Sequence, residues 1–107
     1  DRLQLSIVGA LDQFAVVCSI DGNGQVTQHF PVDGESQKLT ESPFNLPNSY
    51  ELDDAPAFER FVLFTSSRPL SADAMLGYVR GMALDIDAEI VGLPEDVDEA
   101  SWIVKKP

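Results

Sequence analysis

Apolar and polar positions alternate along most of this chain, and only one stretch switches to helical spacing. Leu3, Leu5 and Ile7 alternate with Gln4 and Ser6, which predicts a half-buried strand over Leu3–Val8. Phe14, Val16, Cys18 and Ile20 alternate again. They are followed by Asp21-Gly22-Asn23-Gly24 and a third run, Gln25–Phe30, so this part reads as a hairpin. Parity selects its register. A two-residue loop at Gly22-Asn23 sets Ile20 opposite Gln25 and puts the apolar stripes on different faces. A three-residue loop ending at Gly24 sets Ile20 opposite Val26 and Val16 opposite Phe30. Because a one-residue slip flips every side chain, the second register is expected, with Gly24 in the left-handed conformation of a bulged turn.

Pro31 closes the hairpin. Residues Val32–Pro47 are polar and turn-rich, with a short strand expected around Lys38–Thr40. Ser49–Leu52 reads as another short strand and Asp53–Ala57 as a loop. In Arg60–Thr65, Phe61 and Leu63 fall on one face and Val62 and Phe64 on the other, so this strand is expected at the centre, covered on both sides. After Pro69, Ser71 is the expected N-cap of a helix over Ser71–Leu84, with Asp73 in its first turn. Met75, Leu76, Val79, Met82, Ala83 and Ile86 recur at helical spacing. Gly77 and Gly81 suggest a close approach of that helix to the sheet. Asp85–Ala100 reads as an acidic connection with an apolar piece at Ile90–Leu93, and Trp102–Val104 as the final strand.

The fold class this predicts is α+β: mainly antiparallel β-sheet or sandwich, with one helix at about 71–84 packed on it. A chain of 107 residues, 44% hydrophobic and 23% charged, fits one globular domain over 1–107. The apolar runs are too short to span a bilayer. The chain begins at Asp1, so a processed protein or a fragment is expected, with any signal or anchor upstream. A net charge of −11, from 18 acidic and 7 basic residues, repels phosphate backbones and argues against nucleic acid as a partner. A single cysteine excludes an internal disulfide and a cysteine-based zinc site.

Catalytic chemistry is sparse. His29 is the only histidine, and in the expected register it is a surface strand residue on the polar hairpin face with Thr27. Cys18 points to the other face, so the two cannot form a nucleophile–base pair. No Gly-x-Ser-x-Gly elbow surrounds Ser66 or Ser67. Asp53, Asp54 and Glu59 are candidates for general acid and base. The alternative is that Asp53-Asp54 solvates a turn and Glu59 pairs with a nearby base. Asp21-Gly22-Asn23-Gly24-Gln25 echoes the start of a calcium loop but lacks the later bidentate acid. Arg68, between the central strand and Pro69, is suited to pin that connection by bonding carboxylates or carbonyls. Trp102 is expected as a core or edge anchor. No phosphate-cradling loop or dinucleotide fingerprint is present, and no cofactor, metal or catalytic residue is assigned.

The run Asp21–Pro31 resembles a D-x-x-G-x-V-T-x-x-F-P signature. It is followed by Leu46-Pro47, Leu52-Asp53-Asp54-x-Pro56, Glu59-Arg60-Phe61 and Ser66-x-Arg68-Pro69-Leu70. In this order the motifs resemble an uncharacterised bacterial extracytoplasmic domain found in anti-sigma-factor membrane proteins and, in a related form, beside serine/threonine protein kinases. The resemblance spans Leu5 to Val79. Relatives often carry Gly where this chain has Ala57. It implies a β-rich domain outside the membrane, tethered to the inner membrane by an upstream helix, with sigma-binding or zinc-binding parts beyond these residues. It supplies no catalytic residues. The expected function is therefore a non-catalytic sensory or protein-interaction domain of a membrane-anchored regulator, whose partner is a protein or small molecule. Two alternatives belong to other classes: a small hydrolase or carbohydrate-active domain using an Asp/Glu pair from Asp53, Asp54 and Glu59, and a structural domain that assembles through an edge strand such as Trp102–Val104.

Overall fold

The computed structural model of the chain describes residues 2–3, 6–9, 11–22, 24–31, 35–46, 50–51, 58–80 and 93–105. In chain order its elements are β1 (Arg2–Leu3), β2 (Ser6–Ile7), β3 (Phe14–Asp21), β4 (Val26–Phe30), β5 (Gln37–Lys38), β6 (Phe44–Asn45), β7 (Tyr50–Glu51), β8 (Phe58–Ser66), α1 (Ala72–Arg80) and β9 (Asp98–Lys105). It is an α+β fold, mostly antiparallel sheet with, among the described residues, one helix packed on it. The main sheet runs β4-β3-β8-β9, and β5 pairs with the start of β3. Strand β3 pairs with β8 without a break from Phe14↔Ser66 to Asp21↔Glu59. Short antiparallel pairs, β1 with β7 and β2 with β6, stand apart from this sheet.

As expected from its two-sided apolar pattern, β8 is central. On one face Val62 and Phe64 join Val16, Cys18 and Ile20 of β3 beneath Leu70, Ala72, Met75, Leu76 and Val79 of the helix segment. On the other face Phe61 packs with Ala15, Val17, Phe30, Leu39, Leu46 and Ile7. Helix α1 forms because its apolar residues fall on one stripe and because its first turn is capped from two directions. The Ala74 amide donates to Ser71 Oγ at 3.2 Å, the expected N-cap. The Ala72 amide donates to Glu35 Oε2 at 3.2 Å, and the Leu70 amide to Ser36 Oγ at 2.6 Å. The loop after β4 is thereby fastened to the start of the helix.

Several expectations need correction. Of the first run, β1 and β2 are described and pair with β7 and β6 respectively, while Gln4 and Leu5 between them lie outside the described residues. Strand β6 lies inside the segment read as turn-rich, and β5 covers Gln37–Lys38 rather than Lys38–Thr40. The last strand starts at Asp98, inside the stretch read as an acidic connection. Gly77 is exposed, with nothing near where a Cβ would lie, so it does not mediate a close approach to the sheet. In the hairpin, Ile20 pairs with Val26 and Gly24 has φ +84°, as parity required. Phe30, however, pairs with Val17 and not Val16, because a bulge interrupts the register between Val17 and Cys18. The expected loop Asp53–Ala57, Gly81, the end of the expected helix and Ile90–Val91 lie outside the described residues.

Candidate functional site

The bulge is what builds the most chemically distinctive cluster. Cys18 pairs with Gln28 and Val17 with Phe30, which leaves His29 as the extra residue of β4. His29 and Phe30 then both serve the face of Phe61. The His29 ring lies 5.5 Å from the Phe61 ring, tilted by 38°, and its Nε2 is hydrogen-bonded to Ser19 Oγ at 2.7 Å. His29 is thus half-buried and partnered, not a surface strand residue. Burial pushes its pKa down to about 4, so the imidazole is neutral at physiological pH and offers one donor and one acceptor.

A serine bonded to a neutral imidazole has the parts of a nucleophile and its base. Access decides against that use: Ser19 is 0% exposed, so no substrate carbonyl reaches its Oγ in this conformation. Further along the same face, Asp21 and Glu59 pair directly across β3 and β8, and both are buried. Asp21 has a local task. Its Oδ1 accepts the Gln25 amide at 2.9 Å, while its backbone bonds both Gln25 and Gly24. The calcium-like spelling of this turn is explained by hairpin geometry. Among the described residues no group of three or more His, Cys, Asp or Glu side chains is placed to hold a metal ion.

The other residues singled out from the sequence disperse. Cys18 is buried on the helix face, away from His29, and burial pushes its thiol up to about 12. Ser66 is buried and its Oγ accepts the Arg68 amide at 3.3 Å, whereas Ser67 is exposed. Arg68 pins the strand-to-helix connection as expected. Its Nε and Nη2 clasp both oxygens of Asp96, with Nη2–Oδ1 at 3.1 Å. The hydrogen bond from Arg68 holds the Asp96 carboxyl below its ordinary pKa. Asp53 and Asp54 lie outside the described residues. The Ser19–His29 bond was missed because this face of the hairpin was expected to lie at the surface, although the expected register already set the two residues on the same side. A signal did exist: β3 has an apolar stripe on one face and Ser19 and Asp21 on the other, and polar groups beside a central strand require partners.

At the opposite edge of the sheet, β9 presents a different surface. Asp98, Glu99, Ala100, Ser101 and Trp102 are all exposed, although they form a continuous ladder with β8 from Thr65↔Asp98 to Phe58↔Lys105. Trp102, 38% exposed, stacks on Phe61 at 5.6 Å with 12° between planes. On the helix face, Arg60 Nη2 lies 3.2 Å from Ser101 Oγ and 3.8 Å from Glu99 Oε1. Among the described residues no strand pairs with the outer edge of β9.

No helix among the described residues is long and apolar enough to cross a membrane. Comparison of the chain with protein-family models, with curated proteins and with solved structures found no match.

Proposed function

We propose that this domain is a non-catalytic sensory or protein-interaction module, held outside the membrane as part of an anchored regulator of the anti-sigma-factor type. The observation that carries the interaction reading is β9, a long edge strand with five successive exposed residues and a tryptophan held against Phe61. Exposed edge strands present unpaired backbone donors and acceptors, and recognition by strand addition uses them directly. The extracytoplasmic and regulatory parts of the proposal rest on the ordered motif series from Asp21 to Leu70. Site-specific photocrosslinking in cells tests the interaction: a photoreactive residue at Ser101 should give discrete adducts, and one at exposed Thr40 should not. Equal adducts from both, or none from Ser101, would sink the reading. The location is tested by protease digestion of spheroplasts bearing the full-length protein, in which this domain should be cut while a cytoplasmic marker survives.

A hydrolase reading has one observation in its favour, the Ser19–His29 hydrogen bond. Treatment with a fluorophosphonate probe separates the two. The sealed serine is expected to stay unlabelled, and labelling abolished by Ser19→Ala would establish the enzyme.

A further inference from the structure

We infer that β9 pairs antiparallel with β9 of a second copy of this chain, in a register centred on Trp102. The inference rests on the reading of β9 as an interaction edge and adds the identity of its partner.

The two ends of the main sheet differ in their fitness for pairing. Strand β4 spans only Val26–Phe30, is broken in register by the bulge at His29, and runs into Pro31. Such features blunt an edge against strand addition. Strand β9 has none of these: it spans eight residues, holds register with β8 along its whole length and is exposed over Asp98–Trp102.

Charge identifies the partner. A chain of net charge −11 repels its own copies, so self-association requires a surface where that repulsion is locally relieved. The strand Asp98–Lys105 is such a place, with two acids at its start and Lys105 at its end. An antiparallel partner of the same sequence brings the acidic end of one strand beside the basic end of the other. No copy-to-copy contact through a uniformly acidic surface offers this.

Parity then narrows the register. Residues directly opposite in an antiparallel pair project to the same face, so a two-fold axis perpendicular to the sheet must set a residue opposite itself. Centring on Ser101 places Glu99 opposite Ile103, and centring on Ile103 places Ser101 opposite Lys105. Only centring on Trp102 sets Glu99 opposite Lys105, twice per dimer by symmetry. Trp102 then faces its own copy on the side of Phe61, where an aromatic pair adds to strand pairing. The product is a continuous sheet through both copies, β4-β3-β8-β9 followed by its two-fold image.

Analytical ultracentrifugation of the 107-residue chain tests this, together with charge exchange. Wild type should sediment with a concentration-dependent mass approaching two copies. Glu99→Lys and Lys105→Glu should each weaken dimerisation about tenfold, since each sets like charges opposite one another twice. An equimolar mixture of the two variants should recover the dimer, because each copy then meets its complement; impaired folding of either variant would not be rescued by mixing. A wild-type monomer at every concentration, or a dimer indifferent to both substitutions, overturns the inference. Hydrogen exchange on that monomer separates the two readings. Fast exchange at alternate amides of β9 leaves the interaction edge standing and removes only the self-pairing, and protection of all of them removes both.

Discussion

The two faces of the central strand pair are built to different specifications. Beneath α1 the contributions of β3 and β8 are Val16, Cys18, Ile20, Val62 and Phe64, an apolar set closed by a single capped helix. The other face begins in the same way, with Ala15, Val17 and Phe61 under Ile7, Phe30, Leu39 and Leu46, and then turns polar at Ser19, Asp21 and Glu59. The lesson is that a strand covered on both sides need not be covered by the same means. Beneath α1 the helix face rests on packing, and its polar contacts, from Arg60 to Ser101 and Glu99, lie out toward β9. The far face adds hydrogen bonds that must remain satisfied, because an unpaired buried polar group costs about 1–3 kcal/mol.

The largest expected effect therefore belongs to packing. Phe64→Ala on the helix face should lower unfolding free energy by about 3–5 kcal/mol, measured by urea denaturation, since Phe64 is 0% exposed and its removal leaves a cavity. A cost under 1 kcal/mol would mean that the helix does not close this face. Next comes acid sensitivity, which should be confined to the far face. His29 is neutral when folded to about pH 4, whereas in the unfolded chain it takes up a proton near 6.5. Between those values the unfolded state binds more protons, so stability falls as pH falls from 6.5 towards 4 and the loss then levels off. After allowance for partial exposure the wild type should lose roughly 2 kcal/mol more than His29→Gln across that window. Parallel pH profiles for the two proteins would remove the distinction between the faces. The smallest effect should come from the hairpin turn that both faces share. Gly24→Val forces a branched residue to φ +84° and should cost about 1–2 kcal/mol, independent of pH. A pH-dependent cost there would show that the turn and the His29 cluster are coupled.

Much of this architecture can be read from residue order. The two-sided apolar run at Phe61–Phe64 places β8 at the centre, Ser71 caps α1, and the Ile20–Val26 pairing follows from parity. Arg68 was expected to bond carboxylates or carbonyls, and it holds Asp96. What escapes is whatever depends on a single inserted residue or on a distant partner. A bulge leaves the alternation of β4 intact and changes only what it faces, so the move from Val16 to Val17 opposite Phe30 could not be seen along the chain. Short strands such as β6 have too few residues for periodicity to register. The acidic start of β9 masked a strand because Asp98 and Glu99 are poor strand formers, accepted here at an exposed edge. The exposed edge strand was legible in part: Trp102 marked it, but its length was not.

The pairing of β3 with β8 also governs how the chain reaches this structure. The β3–β4 hairpin is local, and its turn is already specified by Asp21 and Gly24. Its partner β8 arrives only after a loop of roughly forty residues has closed, an entropic cost that precedes any ladder hydrogen bond between them. Until then Val16, Val17, Cys18 and Ile20 wait in a hairpin without its central neighbour, and the helix stripe has no surface to cover. The interval before β8 is captured is when a newly made chain is most exposed to pairing with the wrong strand.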